Sequence, residues 1–249
     1  MKIDGHDAAA LAARGLRKSF GHIRALAEGD ITLRRGEIMA LVGDNGAGKS
    51  TLIKCLSGVL RPEGGQIFAG GRAYESYSVR KARSLGIAVV YQDLALVDAL
   101  DVVSNIWLGA EACRWGLFLD RDRMIADAEA LLRRLSINLR PTGTPVGSLS
   151  GGQRQAVAVV RAIAQGGSIL IMDEPSAAMG VRESNHLMDI MGTLKAQGLS
   201  ILWISHNLPQ ILQAADRVTV MRGGCTVREA SAAGLDPLKL AGWMSGALS

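Results

Sequence analysis

The chain has 249 residues, enough for one or two domains with a substantial core. Hydrophobic residues make up 48% and charged residues 20%, which excludes a disordered chain, and aromatics at 4% leave the core to aliphatic side chains. The net charge of +5 comes from scattered arginines without interleaved aromatics, so no base-stacking surface for nucleic acid is expected.

Mean hydropathy is slightly positive. Yet the longest apolar run, Ala8 to Ala13, is six residues, against the roughly 18 that a spanning helix needs. A transmembrane helix is excluded and a membrane-attached subunit is not. Met1 to His6 lacks the charged start, apolar stretch and cleavage site of a secretory signal, so none is expected. Glu37 to Gly43 reads as a buried strand. Lys49 to Leu60 reads as a helix, ended by the turn Arg61-Pro62-Glu63-Gly64-Gly65. Gln66 to Ala69 and Gly86 to Gln92 read as further strands. After Asp93 the pattern becomes helical, with amphipathic helices over Asp120 to Leu135 and Gly151 to Gln165. Strands return at Ser168 to Met172, Ser200 to Ile204 and Arg217 to Met221. Strands alternating with helices predict a parallel α/β sheet carrying a mostly helical insertion over residues 93–166. Residues 223–249 give no clear element. Cys55, Cys113 and Cys225 lie far apart with no CxxC, which fits a reducing compartment and small buried hydrophobes.

Gly43-Asp44-Asn45-Gly46-Ala47-Gly48-Lys49-Ser50 follows a strand and opens a helix. This is the setting a phosphate loop requires. Glycines let backbone N–H groups turn toward phosphate oxygens, and the helix N-terminus adds its positive dipole. Lys49 can reach the β/γ-phosphates, the Ser50 hydroxyl can ligate Mg²⁺, and Thr51 is a further phosphate contact. Asp173 and Glu174 end an apolar strand, where open α/β sheets place ligands. There Asp173 would hold Mg²⁺ through water and Glu174 would polarise an attacking water.

Leu149-Ser150-Gly151-Gly152-Gln153 opens another helix. Ser150 and Gln153 fit an ordinary helix cap. They equally fit a second anion site, which one nucleotide in one small domain would not need, so its phosphate would come from another copy.

With these motifs in this order, the chain resembles the nucleotide-binding subunit of ATP-binding cassette (ABC) transporters over about residues 11–245. The LSGGQ sequence at 149–153 is close to diagnostic. Val42 to Thr51, Val90 to Val97, Glu174 to Val181 and Ile204 to Leu208 resemble the ATPases of bacterial monosaccharide importers of ribose or fructose type. The resemblance implies an α/β P-loop NTPase fold of the ABC-cassette type: a RecA-like core with an antiparallel β subdomain and an inserted α-helical subdomain. One domain over 1–249 would comprise a core with its β subdomain (1–92 and 167–222), a helical subdomain (93–166) and a C-terminal tail (223–249).

The resemblance also assigns roles. Gln92 would sit near Mg²⁺ and the attacking water, His206 would link the γ-phosphate to Glu174, and Phe20 would stack on adenine. Ser150, Gly151, Gly152 and Gln153 of one copy would close over the nucleotide of the other. ATP and Mg²⁺ are the implied ligands. The implied partners are a second copy, transmembrane permease subunits and, indirectly, a solute-binding protein, at the cytoplasmic face of a bacterial membrane. The apolar segment Leu94 to Leu108 is either a docking surface for the permease or the core of the helical subdomain. Many family members carry an aspartate at the position of Gly180, so the usual carboxylate contact between sites is in doubt. A soluble chromosome or repair ATPase is the alternative reading. Lys49 and Asp173 are only 124 residues apart, with no sustained heptads for the long coiled coil such proteins carry. A module that holds ATP without hydrolysis is disfavoured by the presence of Glu174 and His206.

Overall fold

Ile38-Met39-Ala40-Leu41-Val42 forms strand β3, and all five residues are buried. A run apolar on both faces belongs in the interior of a covered parallel sheet. The computed structural model, which describes residues 9–115, 117–175 and 179–248, places it there. On either side of β3 lie β10 (Ser200–Ile204) and β11 (Arg217–Arg222), then β9 (Ile169–Asp173) and β6 (Ile87–Val90), all parallel. A second, antiparallel part of the same sheet holds β1 (Ala9–Phe20), β2 (Ile23–Arg34), β4 (Gly64–Ala69) and β5 (Arg72–Tyr74). The two parts join where β12 (Cys225–Ser231), antiparallel to β11, meets β2 at Cys225 and Glu28.

Successive side chains on a strand face opposite ways. Accordingly Ile38, Ala40, Val42, Leu170, Met172, Ile201 and Trp203 enter one apolar core. Their neighbours Met39, Leu41, Ile169, Ile171, Leu202 and Ile204 enter the other. The second core is closed by α1 (Lys49–Leu56), α2 (Val79–Ser84) and the antiparallel strands. The first is closed by α3 (Val102–Trp107), α4 (Arg121–Arg134), α5 (Gly151–Ala164), α6 (Val181–Ala196), α7 (Leu208–Ala214) and α8 (Pro237–Ser245). No helix among the described residues is long and apolar enough to cross a membrane.

The differences from the sequence reading have local causes. The helix from Lys49 stops at Leu56 rather than Leu60, because Gly58 turns left-handed (φ +76°) and the Leu60 N–H folds back onto the Lys54 carbonyl. A short strand β7 (Cys113–Arg114) pairs antiparallel with β8 (Phe118–Leu119). The unassigned C-terminal stretch contains β12 and α8, whose Leu240 and Trp243 are buried. Cys55 is buried, which pushes its thiol up to about 11, while Cys113 is exposed rather than a core residue.

Candidate functional site

The parallel strands β3, β10, β9 and β6 are neighbours in that order, so their carboxyl ends line one edge of the sheet. Each delivers chemistry there. Gly43 to Lys49 follows β3, His206 follows β10, Asp173 and Glu174 close β9, and Gln92 follows β6. Register aligns them: Val90 pairs with Met172, so Gln92 and Glu174 both lie two positions beyond that pair. Ile204 pairs with Asp173, and His206 lies two positions beyond Ile204.

The phosphate-loop glycines are sterically required. A Cβ on Gly43 (φ +153°) would fall 2.3 Å from the Met221 carbonyl oxygen, and one on Gly48 (φ +101°) 2.6 Å from that of Ala25. The loop is thereby wedged between β11 and β2, with Asp44, Asn45 and Gly46 exposed above buried Ala47. Lys49 is only 7% exposed, and its Nζ donates to the carbonyls of Gly43 (2.7 Å) and Asp44 (3.0 Å). Burial lowers its pKa, opposed by the charges of Glu174, Asp173 and Asp44. Ser50 is exposed and Thr51 half-buried in the first turn of α1. Phe20 is exposed beside the β1–β2 turn, with the Lys18 ammonium 5.7 Å from its ring centroid. Farther along β2, Ala25 and Leu26 lie against Gly48.

Asp173 carries a raised pKa, first from burial and then from repulsion by Glu174, with Lys49, Lys54 and His206 opposing. Glu174 sits in left-handed backbone (φ +50°), its N–H donating to the Ile204 carbonyl at 3.0 Å. Its Oε1 lies 2.6 Å from His206 Nε2. A desolvated carboxylate beside a second carboxylate and facing a lysine is an arrangement that a bound cation relieves. This donor set, with the Ser50 hydroxyl, fits Mg²⁺.

Ser150 to Gln153 form a separate cluster. Ser150 Oγ accepts the Gln153 N–H at 3.3 Å and Gln153 Oε1 accepts the Ser150 N–H at 3.0 Å, a reciprocal capping box. The ordinary cap is therefore realised within the chain, and Gly152 lies against the Glu183 side chain of α6.

Residues 26–177 match the ABC transporter family. The chain belongs to that family. It is 43% identical over 221 residues to the fructose import ATP-binding protein FrcA of Rhizobium meliloti, covering 86% of this chain and 85% of FrcA. It is 42% identical over 223 residues to the ribose import ATP-binding protein RbsA of Chromobacterium violaceum, covering 90% of this chain and 44% of RbsA. The chain thus spans less than half the length of some curated relatives it matches. The fold also matches the ADP conformation of MJ1267, an ATP-binding cassette of an ABC transporter, with a TM-score of 0.82 and 25% identity over 95% of both chains. The expected cassette fold is the one observed.

Within this cassette the segment Leu94 to Leu108 divides: α3 is core, while Ala95, Val97 to Ala99 and Leu108 are exposed. Val102, Val103 and Ile106 are fully buried, and Trp107 Nε1 donates to the Met124 carbonyl at 2.9 Å. Sequence reasoning missed the two side chains that set the loop after Gln92. Asn105, fully buried, accepts the Val97 N–H and donates to the carbonyls of Val97, Leu100 and Asp101. Arg161 of α5 donates to the carbonyls of Leu94 (2.6 Å) and Ala95 (2.8 Å). The three-residue offset from the apolar Val102 was the available signal for Asn105; a helical arginine offered none. Beside this loop runs a cleft of about 330 Å³, lined by Val79, Tyr91, Leu108, Ala158, Arg161 and Gln165 among others.

Proposed function

We infer that this cassette is the ATP-hydrolysing subunit of an importer. It works as a pair of copies and drives uptake of a monosaccharide through a separate permease. The observation that supports hydrolysis most directly is the Glu174–His206 pair at 2.6 Å on the strand edge that also carries buried Lys49. The relatives named above are import proteins for fructose and ribose.

In this reading Lys49, already desolvated, exchanges the Gly43 and Asp44 carbonyls for phosphate oxygens, while the loop amides from Asp44 to Thr51 wrap the phosphates. Phe20 offers its ring face to the adenine. Asp173, Ser50 and Gln92 would hold Mg²⁺, which neutralises charge on the phosphates when bound. Glu174 takes a proton from the attacking water, and His206 keeps its carboxylate aimed while meeting the γ-phosphate. Ser150 and Gly152 of the second copy complete the ring of donors around that phosphate. Hydrolysis removes the group that joins the copies, so they part. That movement shifts the helical part, residues 93–166, against the core formed by 1–92 and 167–222. The cleft between them receives the permease at the cytoplasmic face of the membrane, and a solute-binding protein acts through the permease.

The test is phosphate release by the purified chain with ATP and Mg²⁺, with and without chelator. It is followed by co-purification with the permease and stimulation by a monosaccharide-loaded binding protein. Absence of Mg²⁺-dependent release overturns the hydrolytic reading. Stimulation by a different class of solute overturns the sugar.

A further inference from the structure

Phe20 stands at the end of β1, beside the turn Gly21-His22, with its ring half exposed. On one edge the strand is paired to its tip: Ser19 lies opposite Arg24, and Phe20 opposite Ile23, in β2. On the other edge the last register pair with β4 is Arg17 with Gly64, three residues before the ring. Glu63, immediately before β4, carries the pairing onward. Its N–H donates to the Arg17 carbonyl at 2.7 Å, and its Oε2 accepts the Ser19 N–H at 3.1 Å. A side-chain carboxylate thus does what a further strand carbonyl would do. Its Oε1 lies 3.5 Å from Lys18 Nζ, and that ammonium stands over the Phe20 ring, 5.7 Å from its centroid.

Of these contacts the bond to Ser19 matters most. An exposed lysine–carboxylate pair at that separation contributes little. The Ser19 N–H meets an ionised acceptor, the stronger kind of hydrogen bond. That N–H, ahead of Lys18, holds the Glu63 carboxyl below the usual carboxylate range. The β1–β2 ladder shifts register at Lys18/Ser19, so the tip has an irregular support on its β2 side. Glu63 is also tied along the chain to the phosphate loop. From Lys49 the helix α1 runs to Leu56, the Leu60 N–H folds back onto the Lys54 carbonyl, and buried Pro62 leads into Glu63.

We propose that Glu63 is a positioning residue for the nucleotide base: by holding the Ser19 backbone it fixes where the Phe20 ring stands relative to the phosphate loop. The inference rests on the reading of Phe20 as the adenine-stacking ring. Residues 43–63 then serve both ends of the nucleotide, the loop amides and Lys49 at the phosphates and Glu63, through Phe20, at the base. A ring held in place before binding spares the ordering that a loose hairpin tip would require. Glu63 therefore acts on affinity for the base and not on affinity for the phosphates.

The experiment compares ADP with pyrophosphate, each with Mg²⁺, by calorimetric titration of the full chain. Phe20→Ala comes first. Its ADP affinity should fall about tenfold, the scale of one base stacked on one aromatic ring, with pyrophosphate unchanged. Unchanged ADP affinity in that variant overturns the stacking reading itself. Glu63→Ala should then weaken ADP about three- to fivefold and leave pyrophosphate within about twofold. In a chain already carrying Phe20→Ala it should add nothing. Wild-type ADP affinity, an equal loss for pyrophosphate, or a full additional loss beside Phe20→Ala each overturns the positioning role and leaves the stacking reading standing. Glu63→Gln keeps an acceptor for the Ser19 N–H and should retain ADP affinity close to wild type; a loss equal to that of Glu63→Ala overturns the role given to the Ser19 bond. Should Glu63→Ala fail to fold, Glu63→Ser, its oxygen two bonds closer to the backbone and out of reach of that N–H, takes its place with the same expected losses.

Discussion

Glu174 and His206 are tied twice: side chain to side chain at 2.6 Å, and through the Glu174 N–H to the Ile204 carbonyl two residues before His206. The second bond fixes the carboxylate's root to β10, and the first fixes its tip. Glu174 also occupies left-handed backbone at φ +50°, a conformation that costs a non-glycine residue about 1–3 kcal/mol and that persists where surrounding contacts over-determine it.

Glu174→Gln should therefore fold and bind ATP but lose its base. We expect kcat to fall at least about 100-fold with KM changed only a few-fold. His206→Ala should cost less, about 10- to 100-fold, because it removes the orienting group and leaves the carboxylate. Steady-state phosphate release checks both. Wild-type turnover in Glu174→Gln overturns the assignment.

Much of this edge was legible in the sequence. The glycine spacing of 43–48 can be read because backbone clashes, such as that of Gly43 with Met221, leave no other residue type. Strands β3 and β10 were legible because burial on both faces demands an unbroken apolar run. The long hairpin β1–β2 was not. Its Ala-rich first strand is interrupted by register shifts at Ala13/Leu16 and Leu16/Lys18, which erase the two-residue alternation. The sequence left Leu94 to Leu108 open between docking surface and core for a related reason. Apolar content alone does not say which side of Val102 and Ile106 faces α4 and α5.

Lys49→Ala should abolish nucleotide binding with little effect on folding. The ammonium makes two bonds to loop carbonyls, but burial works against its charge, so the two effects of removal oppose each other. Affinity for a fluorescent ATP analogue should fall about 100-fold or more, and the melting temperature should stay within about 3 °C. Binding at wild-type affinity overturns the phosphate-loop reading.

Asn105→Ala should destabilise the loop that carries Gln92. The side chain satisfies one N–H and three carbonyls in a fully buried position. Their loss leaves buried polar groups unpaired, at about 2–4 kcal/mol. Denaturant unfolding measures the total. Hydrogen exchange should locate the loss at Val97, whose N–H Asn105 accepts, while the amides of β3 change only with global stability.

Asp173→Asn should separate stability from function. Burial and the Glu174 charge raise the Asp173 pKa, so the ionised carboxylate is a cost in the nucleotide-free fold. For an acid whose folded pKa is raised, that cost is fully present above the folded pKa. It is shed as pH falls through that value toward the unfolded one. Asparagine never carries the charge. At pH 8, in chelator and without nucleotide, Asp173→Asn should melt about 2–4 °C above the wild type, and the gap should close on acidification. Mg²⁺-dependent phosphate release should be lost at every pH. A variant less stable than the wild type at pH 8 would mean that Asp173 is held by favourable contacts in the empty site, and the cation-site assignment would lose its electrostatic support.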